Sequence, residues 1–129
     1  MSLFTFFKDV ISRNFLKDPT SKIVFDHYFF DLKYYLHIDA SIADFSNLLN
    51  ITSEKIDHIS KEYYSCSFDI LLNEHRYQHF VKELVSHHST NLTIESIIKL
   101  SGFENNKKFS DFVKSKELTA LSIKESISQ

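Results

Sequence analysis

Apolar positions recur at three- and four-residue steps along nearly the whole chain, the spacing that gathers side chains on one face of an α-helix. Residues 3–16 carry Leu3, Phe6, Phe7, Val10, Ile11 and Phe15 in this rhythm. Asp18-Pro19 closes that segment, because proline lacks the backbone donor that a continuing helix needs. A second stripe, Phe25, Tyr28, Phe29, Leu32, Tyr35 and Leu36, predicts one helix over residues 22–38.

Two shorter stretches then repeat one pattern. Ser41-Ile42-Ala43-Asp44-Phe45-Ser46-Asn47-Leu48-Leu49-Asn50-Ile51 and Thr93-Ile94-Glu95-Ser96-Ile97-Ile98-Lys99-Leu100-Ser101-Gly102-Phe103 each place a capping hydroxyl before a short apolar helix, then a turn residue, then an apolar residue. Each leads into a second amphipathic helix. Over residues 52–64, Ile56, Ile59 and Tyr63 share the apolar face, with Glu54, Lys55, Asp57, His58 and Lys61 opposite. In the later helix Phe109, Phe112 and Val113 point inward, and Lys107, Lys108, Lys114 and Lys116 outward. Residues 67–88 predict the longest helix, a rigid spacer with Phe68, Leu71, Leu72, Phe80, Leu84 and Val85 as its stripe. Thr119 is expected to cap a last, separate helix through Ile123 and Ile127. The expectation is an all-α chain: a helix and linker in residues 1–23, then a domain over 24–129. That domain holds two helix-turn-helix units, about 41–64 and 93–116, joined by the linker helix.

Composition narrows the function classes. At 129 residues with 43% hydrophobic and 25% charged residues, the chain has the make-up of one soluble domain. The lone Cys66 has no partner for an internal disulfide, and no apolar run is long enough to span a bilayer, so a reducing, cytoplasmic location is expected. Lys8 and Asp9 cut the run of Phe4, Phe6 and Phe7 too early for a secretory signal. A net charge of -2 and a pI near 6.4 lie far from the strongly basic balance of many nucleic-acid binders, so any DNA-binding surface must be local. Of 13 Phe and 6 Tyr, ten rings fall before residue 36. Covering the helical units is the simpler use for them; a surface for self-association or for an upstream domain is the other.

The order and spacing of several residues resemble the DNA-binding domain of the AraC family of transcription regulators, over about residues 24–126. The carrying residues are Ser67-Phe68, Arg76, Ser101-Gly102-Phe103, Phe109 and Leu118-Thr119. The chain departs from that family where Ser46 and Ile98 replace Ala, where Asn50 and Ser65 replace Gly, and where Ala120 replaces Pro. Between Val113 and Leu118 it is one residue shorter and lacks the usual Gly. The resemblance implies a seven-helix fold in which the second helix of each unit enters the major groove of double-stranded DNA. It assigns Glu54, Asp57 and His58 to the first reading face and Asn106, Lys107, Lys108 and Asp111 to the second. It implies no cofactor, and a structural role for Arg76 through carbonyls or an acid. The roughly 40 residues ahead of the first unit are too few for the family's usual sensor domain, which would then be absent or supplied by another chain.

Charge weighs the two faces differently. Residues 52–64 hold two Lys against two Glu and one Asp, a balance of -1, whereas 104–116 hold four Lys against one Glu and one Asp, a balance of +2. Carboxylates repel phosphates, so the second unit is the expected DNA binder. Paired lysines on an exposed helix are often idle, and Asn106 can equally satisfy local backbone at a helix start. His75, His79, Glu83 and His87 recur at four-residue steps, but one helix face supplies too few ligands for a structural metal. With no Gly-rich phosphate loop and no acids at catalytic spacing, an enzyme is not expected. The alternative from another class is a helix-turn-helix scaffold serving protein–protein interaction or dimerisation, motivated by the acidic first face and the aromatic N-terminal third.

Overall fold

The computed structural model describes residues 19–87 and 91–128, with the side chains of 20–87 and 91–118. All regular elements among them are helical: α1 (Pro19–Asp26), a π turn (His27–Asp31), a 3-10 turn (Tyr34–Leu36), α2 (Ile42–Leu49), α3 (Ser53–Tyr64), α4 (Phe68–Ser86), α5 (Ile94–Leu100) and α6 (Asn106–Ser128). The helix expected over residues 3–16 lies outside the described residues.

The chain divides into two compact units. The first comprises the described part of Met1–Tyr34 together with Ala40–Leu72, and the second comprises Tyr35–Asp39 together with the described part of Asn73–Gln129. The long helix expected as a spacer is shared between them: Phe68, Leu71 and Leu72 are core residues of the first unit, Arg76 and Phe80 of the second.

An aromatic cluster fills the first unit. Phe25, Phe29, Phe45 and Phe68 are essentially removed from solvent. Phe25 meets Phe45 edge-on at 5.3 Å between ring centroids, and Phe45 stacks on Phe68 at 5.3 Å. These contacts add attraction of about 0.5–1.5 kcal/mol per pair to that of burial itself. Phe25, Phe29, Phe30 and Tyr34 thus pack within their own unit.

Here the single helix expected over residues 22–38 fails. Pro19 opens α1, where its missing N–H costs nothing. After Asp26 the ladder loosens to a π turn closed by the Leu32 amide on the His27 carbonyl at 2.9 Å, and Lys33 then takes a left-handed conformation with φ 54°. The break frees Tyr34, whose hydroxyl donates to Asp44 at 2.6 Å and accepts from the Ser41 amide at 3.1 Å. Tyr34 thereby ties the chain to the start of α2. Tyr64, not Tyr63, turns inward against Phe25 and Phe30, while Tyr63 stays 44% exposed. Burial and the Asp26 carboxylate to which it donates push the Tyr64 phenol up to about 12.

In the second unit Phe80, Ile97, Ile98 and Phe103 form the core, with Tyr77, Phe109 and Phe112 packed against it. Arg76 is buried beside them. Its Nε donates to the Tyr35 carbonyl and one terminal nitrogen to the His37 carbonyl, both at 2.7 Å. Carbonyls captured this way are satisfied without an α-helical ladder, a second reason that no α-helix continues through residues 35–38. Gly102 sits against the same clasp at φ +95°, where an added Cβ would lie 2.4 Å from the Tyr35 oxygen and 2.9 Å from Arg76 Nε.

The last helix differs from expectation in a third way. α6 runs unbroken from Asn106 to Ser128, with no separate helix starting at Thr119. The physical reason is in the sequence: residues 113–121 hold neither Gly nor Pro, so nothing in the backbone interrupts the hydrogen-bond ladder.

Two substitutions test the clasp. Arg76→Lys keeps the charge but loses the planar fork, and should destabilise the chain by about 2–4 kcal/mol in urea unfolding followed by circular dichroism. Gly102→Ala should lose about 2–3 kcal/mol through strain and crowding, with the helical spectrum retained at low urea. Midpoints unchanged for both variants would show that the clasp carries no stability.

Candidate nucleic-acid interface

The first expected reading helix, α3, is defined by its caps. Ser41 Oγ accepts the Asp44 amide at 3.0 Å to start α2, and Asn50 ends it in the left-handed conformation at φ 55°. Thr52 Oγ1 then accepts the Lys55 amide at 3.2 Å to start α3, and Ser65 ends that helix at φ 61°. Asn50 and Ser65 thus stand at two left-handed positions that glycine would occupy with less strain.

The polar face of α3 is smaller than the sequence suggests. Glu54 is exposed in its first turn, and His58 is half-buried. Lys55, expected outside, is buried to 1% exposure, so it adds no cation to the outer surface. Asp57 is turned toward its own unit. Its carboxylate accepts the Phe68 amide at 3.0 Å, satisfying an orphan donor at the start of α4, and pairs with Lys61 at 2.7 Å. The Lys61 hydrogen bond, and after it the Phe68 amide, hold the Asp57 carboxyl below its usual range.

The second expected reading helix opens after the turn at Ser101–Asn105. Thr93 Oγ1 caps α5 by accepting the Ser96 amide at 3.1 Å, and the buried Ser101 hydroxyl donates to the Ile97 carbonyl at 2.8 Å. Asn105 then caps α6, accepting the Lys108 amide at 2.9 Å. Phe109 and Phe112 fix the inner side of α6 against Tyr77, Phe80 and Phe103. This orientation leaves Asn106, Lys107, Lys108 and Asp111 exposed in the first turns, and brings Ser110 and Lys114 to the surface with them.

The cations of that face already have carboxylate neighbours. Lys107 pairs with Asp111 at 2.9 Å with side chains 83% and 56% exposed, and Lys108 pairs with Glu104. Lys108 also holds the Glu104 carboxyl below its ordinary value. Exposed pairs of this kind contribute about 0–1 kcal/mol, little enough for a phosphate to displace them. Lys116, expected to point outward, instead reaches Glu74 at 2.7 Å and lies over the Tyr77 ring at 4.7 Å, a link from α6 to α4.

Sequence reasoning missed Asn105 as the cap and Glu104 as the partner of Lys108. Their signals were present as an Asn three residues before Lys108 and a Glu four before it. His79 Nδ1 on α4 lies 3.2 Å from Ser101 Oγ, and His87 Nε2, just past the end of α4, lies 3.0 Å from Glu83. Among the described residues, no three His, Cys, Asp or Glu gather to hold a metal ion, and no helix is long and apolar enough to cross a membrane. Comparison with protein-family models, curated proteins and solved structures returns no match to this chain.

The Asp57 contact makes stability depend on pH. Because the folded carboxyl titrates below the unfolded one, its contribution is present above the unfolded value of about 3.9 and lost as pH falls through the lower folded value. Asp57→Asn should therefore cost about 1–2 kcal/mol at pH 7, and the gap to the native chain should close on acidification toward pH 3. A gap independent of pH would rule out the carboxylate as its source.

Proposed function

We propose that this chain binds double-stranded DNA through the major groove, as all or part of an AraC-type transcriptional regulator, with α6 contributing most of the affinity. The supporting observation is the exposed first turns of α6, where Asn106, Lys107 and Lys108 stand on a helix whose opposite side is anchored by Phe109 and Phe112. A helix held in this manner offers the groove its N-terminal turns, with cations for phosphates and an amide for a base edge. In this reading α3 contacts DNA more weakly through Glu54 and His58, and Asp57 serves by fixing α3 to the start of α4.

A second reading, an interaction or dimerisation module, is favoured by a different observation. Val81, Leu84 and Val85 lie at i, i+3 and i+4 on α4 and are 41%, 37% and 68% exposed, an apolar strip that a protein partner or second copy would cover.

The double variant Lys107→Glu/Lys108→Glu separates the two. For a DNA reader, affinity for duplex falls at least tenfold, and the slope of log affinity against log salt falls by about 2, one phosphate contact per lysine. For an interaction module, duplex binding is absent or indifferent to the change. Sedimentation then shows concentration-dependent association that Val85→Asp abolishes.

A further inference from the structure

We infer that Glu54 is a specificity residue that selects cytosine in the DNA segment facing α3. The inference rests on the DNA-binding reading above and assigns it a base.

Three placements isolate this carboxylate. Glu54 is exposed in the first turn of α3, just after the Thr52 cap, on the part of a helix that reaches furthest into a groove. Asp57, one turn later, is occupied by the Phe68 amide and Lys61, so it is withdrawn from any base edge. Lys55, the adjacent cation, is buried. The front of α3 therefore presents an acceptor that, among the described residues, makes no ion pair.

An ionised carboxylate can only accept hydrogen bonds, and the major groove offers two amino donors, cytosine N4 and adenine N6. Adenine sets its N7 acceptor beside N6, where it repels the second carboxylate oxygen. Cytosine has a C–H at the neighbouring position. Guanine shows only acceptors, and thymine an acceptor and a methyl group. Cytosine is thus the base that Glu54 tolerates best, and its selection works largely by exclusion, since the same charge lowers affinity for every sequence through the phosphates. The two halves of the chain would then differ in kind, with α6 supplying affinity and α3 supplying discrimination.

The test is selection from a randomised duplex pool by the full chain and by Glu54→Gln, with anisotropy on the recovered sequences. Because Glu54 is exposed, the variant should keep the native helical spectrum and melting temperature. Native protein should enrich a cytosine at one position, preferring it about tenfold over the other bases. Glu54→Gln should lose that preference or exchange it for adenine, which an amide can contact bidentately, while binding to non-cognate duplex stays equal or rises. If the native chain selects a sequence and Glu54→Gln selects the same one, the cytosine assignment is wrong and the DNA-binding reading stands. If the native chain binds no duplex even at low salt, both fall together.

Discussion

A guanidinium cannot be buried without acceptors arranged around its plane, and much of the second unit follows from how Arg76 meets that requirement. Its hydrogen bonds to the carbonyls of Tyr35 and His37 satisfy those groups without an α-helical ladder. Gly102 can pack against the same carbonyl because it has no Cβ, and Phe103 follows with its ring 6.0 Å from the guanidinium. The turn ahead of α6 is therefore fixed from behind by a charged, main-chain contact, while Ile97, Ile98 and Phe109 fix it from the apolar side. Hydrogen bonds to a charged donor are among the stronger non-covalent contacts, and a buried Arg deprived of them would carry the whole desolvation cost.

That clasp gives the proposed interface its form. A helix can present polar residues reproducibly only when its other side is held, and α6 is held by aromatic rings and by Lys116 on Glu74. α3 is held in a comparable manner within its own unit, by Ile56 and Ile59 in the core and by Asp57 on the amide of Phe68. The polar faces that remain differ in charge. Lys107 and Lys108 of α6 are tied by exposed pairs, whereas α3 shows a carboxylate and keeps a lysine inside.

The all-helical class, the short helices after Ser41 and Thr93, and the long helix from Phe68 were legible because their periodicity and caps agree. Arg76 was legible as a structural residue, although its carbonyl partners, about forty positions earlier, were not. The misjudged parts share a cause: tertiary contacts outweighing local pattern. An aromatic stripe over residues 22–38 has helical spacing, yet Tyr34 and the two captured carbonyls find partners that a continuous α-helix would deny them. Lys55 and Lys116 looked like surface residues because charge is normally solvated, but a long stem lets lysine bury or bridge. The unbroken α6 was readable from the absence of Gly and Pro over residues 113–121, against the expectation that Thr119 caps a separate last helix. For the candidate site, the exposure of Glu54, Asn106, Lys107, Lys108 and Asp111 was legible and the partners were not, since which side of a helix is anchored depends on rings distant in sequence.

On the proposed reading, a weakly acidic chain carries a local DNA-binding surface on α6. Fluorescence anisotropy of the native protein with a mixed duplex pool at two salt concentrations addresses it most directly. A DNA reader should give binding that weakens steeply with salt and enriches particular sequences from the pool. Absence of binding at the lower salt concentration would contradict it.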